Sequence, residues 1–175
     1  LCSLLNLPVL VKGLILAIYP YLAAGFIHLD GYMDVTDAVK SCRSLERRRE
    51  ILKDSHVGAF AVIGCAMLMV ASFAFCASGN GGVGILILVP MVSRCCSSLA
   101  VTALRPMSTS QYADRQKPKS HLLVLAVMLF LFLLLGFVLS GRNGIVLPGV
   151  LTGYAFALRK GYKSLEGMNG DIAGY

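Results

Sequence analysis

Five apolar segments dominate the chain, and short polar connections separate them. A helix needs about 20 residues to cross the ~30 Å hydrocarbon core of a bilayer, and the segments reach or approach that length. They run approximately from Pro8 to Ile27, Val57 to Ala77, Val83 to Leu104, Leu122 to Leu139 and Ile145 to Leu158. The last segment is short, and an extension to Tyr162 is the alternative. The pattern predicts an all-α protein, a polytopic membrane helical bundle with about five transmembrane helices.

The composition supports this interpretation. Of the 175 residues, 57% are hydrophobic and 14% are charged, whereas a soluble domain has about 45–50% apolar and about 25% charged residues. We expect residues 1–175 to form a single membrane-embedded catalytic domain. The chain begins at Leu1 rather than Met, and no polar tail follows the C-terminal GDIAGY. We therefore expect a fragment that is truncated at both ends.

The charged residues occupy alternate connections. Most of the sixteen Lys and Arg residues lie in residues 28–56, 105–120 and 159–163, whereas the Gly-rich links near residues 80 and 142 carry one Arg between them. By the positive-inside rule, the basic connections face the cytoplasm, and all nine acidic residues lie on the same side. We interpret the net charge of +7 as a topology signal in contact with the lipid bilayer, with no nucleic-acid partner.

Three closely spaced carboxylates suggest chemistry in the segment 28–56. Asp30, Asp34 and Asp37 are spaced by four and three residues, so in a helix they share one face and repel one another. Oxygen ligands suit a hard cation, and Mg²⁺ usually binds one or two carboxylates together with substrate phosphates. A solvated acidic helix start is the alternative. We favour a metal site that holds a phosphorylated substrate.

A basic run follows these acids. It contains Arg47, Arg48, Arg49 and Lys53. Cationic side chains of this type hold an anionic group and neutralise charge on a leaving phosphate. Such a run alone also fits contact with anionic lipid. Arg94 lies inside an apolar segment, where ionisable residues are rare. A phosphate contact from within the bundle and a structural pairing both fit Arg94.

Three blocks of sequence carry a family resemblance. They read H-x-D-G-x-x-D-x-x-D from His28 to Asp37, E-R-R-x-E-I-x-K-D-S-x-x-G from Glu46 to Gly58, and G-x-x-G-D-x-x-G from Gly167 to Gly174. Together they resemble the cobalamin synthase family, the adenosylcobinamide-GDP ribazoletransferases of bacterial vitamin B12 assembly. The chain departs from the usual family residues Met, Arg and Thr at Leu52, His56 and Asn169.

The resemblance implies a Mg²⁺-dependent transferase in cobalamin biosynthesis. Its substrates would be adenosylcobinamide-GDP and α-ribazole or α-ribazole 5'-phosphate, and GMP would be released. It would be a multi-pass protein of the bacterial cytoplasmic (inner) membrane, with the active-site loop of about residues 28–56 facing the cytoplasm. Homo-oligomerisation is left open.

The predicted site residues have three roles. The metal ligands are Asp30, Asp34, Asp37 and Asp171. The candidate bases are His28 and Asp54, although His28 fits a metal ligand or an orienting residue equally well. The substrate-binding residues are Arg47, Arg48, Lys53, Ser55 and Arg94.

Two other functions fit parts of the pattern. A CDP-alcohol phosphotransferase also uses carboxylates at a membrane surface, but its pattern D-x-x-D-G-x-x-A-R is missing from the sequence. A cation transporter would carry acids inside its spans, whereas the acids of this chain lie in the connections.

Overall fold

The computed structural model describes residues 7–78, 83–107, 110, 119–141, 144 and 146–175. Within these residues the regular elements are all helices. They are α1 (Val9–Ala23), α2 (Ile27–Lys40), α3 (Leu45–Ile51), α4 (Ala59–Ala77), α5 (Val83–Ala103), α6 (Lys119–Ser140), α7 (Val146–Leu165) and α8 (Gly170–Gly174). The all-α prediction is confirmed.

The membrane character is also confirmed, and the number of spans is refined. Three stretches are long and apolar enough to cross a bilayer, Ala59–Ala77, Gly84–Ala103 and Ser120–Leu139. Helices α1 and α2 satisfy the same criterion only when they are taken together, which raises the number to four. The count of about five was therefore approximate, because the predicted segment from Ile145 continues as α7 into the basic residues around Lys160.

A sharp bend of 89° separates α1 from α2. Gly25 and Phe26 both adopt left-handed backbone conformations, with φ of 62° and 61°, and two such residues in succession turn the chain away from the α1 axis. Helix α2 carries three Asp and one Lys in fourteen residues. We therefore assign α2 to the membrane surface, outside the spans. Most of the polar segment 28–56 is thus helical, in α2 and α3, rather than an open loop.

Helices α2 and α8 join two groups of membrane helices. Helix α4 packs against α1 and α2, whereas α5 packs against α6 and α7. Helix α8 packs on α2 and also contacts α5 and α7. The core between them is apolar, and Val35, Leu165 and Ile172 have no exposed surface. Large apolar side chains are exposed on α1, α4 and α6, as expected for surfaces that face lipid.

Two arginines of α3 hold the end of α7. Arg49 donates from Nε and Nη2 to the Leu165 carbonyl at 3.1 and 3.0 Å, and from Nη2 to the Glu166 carbonyl at 3.2 Å. Arg48 Nη1 donates to the Ser164 carbonyl at 3.2 Å. The last carbonyls of a helix lack intrahelical donors and favour cations. These bonds therefore fix the end of α7 against α3.

The segment that leads into α8 is fixed from its other side as well. The Met107 amide donates to the Met168 carbonyl, and the Met168 amide donates to the Arg105 carbonyl, both at 2.9 Å. This isolated bridge joins the chain after α5 to the chain after α7. The position of α8 consequently depends on contacts from α3 and from the end of α5.

Replacing Arg49 with Ala should destabilise the fold. The change removes charge-assisted hydrogen bonds to two carbonyls, so we expect the free energy of unfolding in detergent to fall by about 1.5–3 kcal/mol. Arg47→Ala is the matched control on the same helix, because Arg47 pairs with Glu50 in an exposed ion pair that contributes about 0–1 kcal/mol. Equal losses in the two variants would show that the carbonyl contacts do not matter.

Candidate active site

The main chains of α2 and α8 touch at Gly31. A Cβ added to Gly31 would lie 2.9 Å from Asp171 Cα and 3.1 Å from the Asp171 carbonyl oxygen, so only a hydrogen fits at this position. Gly31 lies between Asp30 and Asp34 along α2. The contact therefore brings Asp171, from the far end of the chain, to the acidic face of α2.

Three carboxylates at this contact repel one another. Burial, and to a smaller extent the negative charges of Asp30, Asp171 and Asp37, together raise the pKa of Asp34 to about 6. Burial also raises the pKa of Asp171, the hydrogen bond from Asn169 opposes this shift, and the charge of Asp30 adds to it. Asp30 is exposed, whereas Asp34 and Asp171 are partly buried. Such a group is stabilised by a cation.

Asp37 makes different contacts from the other acids. Its side chain is buried, its Oδ2 accepts from the Gly58 amide at 2.5 Å, and its Oδ1 accepts from the Ala61 amide at 2.9 Å. These amides belong to the start of α4 and lack intrahelical acceptors. A Cβ on Gly58 would overlap the Asp37 carboxylate. Asp37 thus ties α2 to α4, and its role as a metal ligand stays a prediction.

His28 and Arg94 meet where α2 faces α5 and the end of α8. Arg94 Nη1 lies 2.7 Å from His28 Nδ1 and also contacts Nε2, and the main chain of His28 faces Gly174 of α8. Burial and the Arg94 charge lower the pKa of His28, so its imidazole is neutral near pH 7. No carboxylate pairs with Arg94 among the described residues. Arg94 therefore joins α5 to the site on α2 and α8.

The basic segment after α2 makes contacts of its own. Arg47 pairs with Glu50, and Asp54 accepts from His56 Nδ1 at 2.6 Å and from the His56 amide at 3.0 Å. The His56 hydrogen bonds lower the pKa of Asp54, and Lys53 and Ser55 are exposed. In the described part of the chain, no hydrogen bond or ion pair links these side chains to Asp30, Asp34 or Asp171.

The structure thus divides the predicted site residues into groups. One cluster, which we call the acidic cluster, consists of Asp30, Asp34 and Asp171. A second contact, between His28 and Arg94, joins α2 to α5. Of the other predicted residues, Asp37 accepts from the start of α4 and Arg48 donates to the end of α7. The rest are exposed, on α3 or just after it: Arg47, Lys53, Asp54 and Ser55. Asn169 was missed as a site residue, although an Asn two positions before an Asp is a recognisable helix N-cap signal.

Comparison with known proteins identifies the family. The family model for cobalamin-5-phosphate synthase matches residues 1–175. The chain belongs to this family. An adenosylcobinamide-GDP ribazoletransferase of Clostridium perfringens (strain SM101) is 35% identical over 180 residues, which cover 99% of this chain and 72% of the relative.

Other relatives of this family carry the same name. One from Clostridium botulinum (strain Alaska E43) is 29% identical over 182 residues, covering 100% of this chain and 72% of the relative. One from Lachnoclostridium phytofermentans is 31% identical over 173 residues, covering 95% of this chain and 66% of the relative. No solved structure matches the chain. The resemblance to this enzyme family is confirmed.

The acidic cluster fits Mg²⁺ in its donor chemistry. Mg²⁺ binds carboxylate oxygens, keeps several waters, and usually takes one or two protein carboxylates together with substrate phosphates. Within the described ranges, no three His, Cys, Asp or Glu side chains form a ready cage for a metal ion. Two carboxylates of the cluster and the phosphates of a substrate would satisfy Mg²⁺ without such a cage.

Asp37→Asn tests whether Asp37 anchors α4, because the fold stability is measured in the absence of any metal ion. The amide would place an NH₂ group against a main-chain donor that now meets a carboxylate oxygen, so we expect the free energy of unfolding to fall by about 1–3 kcal/mol. Asp30→Asn is the control, because Asp30 is exposed and its charge opposes the neighbouring acids. Thermal unfolding without divalent ions measures both. Unchanged stability in Asp37→Asn would exclude the anchoring role.

Proposed function

We propose that the protein is a Mg²⁺-dependent transferase that joins adenosylcobinamide-GDP to α-ribazole or α-ribazole 5'-phosphate and releases GMP. Family membership supports this reaction, since relatives along nearly the whole chain are named for it. The observation that carries the proposal is the convergence of Asp30, Asp34 and Asp171 where α2 meets α8, with Arg94 of α5 in contact with His28 of the same α2. These groups suit a reaction at a diphosphate.

The reaction exchanges one phosphorus–oxygen bond for another. A ribazole hydroxyl attacks the phosphorus linked to cobinamide, the diphosphate bond breaks, and GMP leaves with the bridging oxygen. Negative charge on the transferred group and on the leaving oxygen must be neutralised. Mg²⁺ held by two carboxylates of the acidic cluster would supply positive charge there, and the Arg94 guanidinium, which contacts His28 of α2, adds a fixed cation.

His28 is the better of the two candidate bases. A base must be unprotonated near neutral pH and must lie within reach of the attacking hydroxyl. The lowered pKa of His28 meets the first requirement, and its place beside the acidic cluster suits the second. The pKa of Asp54 is lowered below the ordinary carboxyl range by its bonds to His56, which makes Asp54 a weak proton acceptor.

The exposed basic side chains suit the nucleotide end of the substrate. Lys53 and Ser55 are exposed, and Arg47 is tied only to an exposed Glu50. These groups are available to bind phosphate oxygens. Arg48 differs, because its Nη1 holds the Ser164 carbonyl, so we assign it first to the packing of α3 on α7.

We place the protein in the bacterial cytoplasmic membrane with its acidic cluster facing the cytoplasm. The positive-inside rule supports this orientation, since the connections that carry the acids also carry most of the basic residues. Nucleotide substrates are found on that side.

Turnover should require both Mg²⁺ and Asp34. Membranes that contain the full-length protein, supplied with adenosylcobinamide-GDP and α-ribazole, should release GMP only when Mg²⁺ is present. Asp34→Asn should lower kcat/KM by at least about 100-fold, because removing one electrostatic element of an active site has an effect of that size. Glu166→Gln is the control, because its side chain is exposed and makes no contact with the cluster. Full turnover of Asp34→Asn contradicts the assignment, and turnover of CDP-linked alcohols alone would favour a CDP-alcohol phosphotransferase.

A further inference from the structure

Asn169 links the start of α8 to the carboxylate of Asp171. Its Oδ1 accepts from the Ile172 amide at 2.9 Å, and its Nδ2 donates to Asp171 Oδ2 at 2.7 Å. A carboxamide has an acceptor at one end and a donor at the other. Because Oδ1 meets an N–H group, the Nδ2 end necessarily faces the carboxylate. The orientation of the Asn169 side chain is therefore fixed.

The Asp171 carboxylate needs such a restraint. Its main chain is fixed against Gly31, but its side chain is free to rotate, and the negative charge of Asp30 opposes its ionised form. The bond from Asn169 is the one hydrogen bond to this carboxylate among the residues that the structure describes. It holds Oδ2 and leaves Oδ1 without a donor.

We propose that Asn169 is a positioning residue that holds the Asp171 carboxylate toward Asp30 and Asp34, ready to bind a divalent cation. This inference rests on the proposed function and adds to it the residue that orders the ligand. Hydrogen-bond partners of metal ligands typically change metal affinity or activity by about 10–100-fold when they are removed. A residue that only caps α8 would not change metal affinity.

Asn169→Gly distinguishes orienting from capping. Gly is nearly as good an N-cap as Asn, and the extended backbone at this position, with φ of −140° and ψ of −176°, is open to Gly. The variant therefore keeps α8 and loses the donor to Asp171. We expect its affinity for Mn²⁺, measured by electron paramagnetic resonance on protein in detergent with adenosylcobinamide-GDP and without α-ribazole, to fall by about 10–100-fold. Its melting temperature should stay close to that of the parent.

Ser44→Gly is the matched control. Ser44 caps α3 by accepting from the Arg47 amide at 3.4 Å. The variant therefore makes the same change at a cap that has no described hydrogen bond to Asp30, Asp34 or Asp171. Its Mn²⁺ affinity should equal that of the parent. If Asn169→Gly also binds Mn²⁺ like the parent, Asn169 is only a cap and the proposal is overturned.

A second variant covers the case in which Asn169→Gly does not fold. Asp is as good an N-cap as Asn, so Asn169→Asp keeps the bond to the Ile172 amide but turns a carboxylate toward Asp171. We expect turnover to fall at least about 10-fold, whereas full turnover overturns the proposal. A parent protein that turns over substrate without any divalent ion would refute the metal dependence itself, and that result is distinguishable from a parent and variant that bind Mn²⁺ equally.

Discussion

The close packing of α8 on α2 at Gly31 is the contact on which the acidic cluster depends. Helix α8 has only five residues, too few to be stable by itself in water, so tertiary contacts must hold it. Arg49 fixes the chain before it. The bridge between Pro106 and Met168 fixes the same segment from the side of α5, and Ser97 Oγ donates to the Ala173 carbonyl at 2.8 Å. One contact comes from α3, and the other two come from α5 and the segment that follows it.

These contacts hold together carboxylates that repel one another. The raised pKa of Asp34 and Asp171 shows that the folded chain disfavours their ionised forms. Val35 of α2, Leu165 of α7 and Ile172 of α8 pack together in one apolar core. This packing offsets that repulsion. Sites that keep like charges close are commonly functional, because the binding of an opposite charge relieves the repulsion. The arrangement is thus suited to a cation that arrives with an anionic substrate.

Much of the local structure follows from the sequence. The apolar segments predict the membrane helices, and the four-residue spacing of Asp30 and Asp34 places them on one face of α2. The bend before α2 was not predicted, since the left-handed conformation of Phe26 is unusual for a bulky residue. The extension of the last segment to Tyr162 is the better of the two predicted ends, because α7 continues past Leu158 to Leu165.

The roles of single charged residues were harder to predict, because they depend on contacts distant in sequence. Spacing alone groups Asp37 with Asp34, yet Asp37 meets the start of α4 after the chain has passed through α3. The basic run suggested phosphate binding, but Arg49 instead meets a carbonyl 116 residues away. The resemblance to a known family identified Asp171, whereas no local pattern indicated that it would touch Gly31.

The most direct test of this account is the turnover of Gly31→Ala. The added methyl group would lie 2.9 Å from Asp171 Cα, so α8 must move away from α2 and carry Asp171 with it. Gly153→Ala on α7 is the control, because a Cβ there meets no atom within 4 Å. We predict that Gly31→Ala inserts into membranes and loses nearly all transferase turnover, whereas Gly153→Ala keeps it. Full turnover in Gly31→Ala would show that the contact between α2 and α8 does not build the active site.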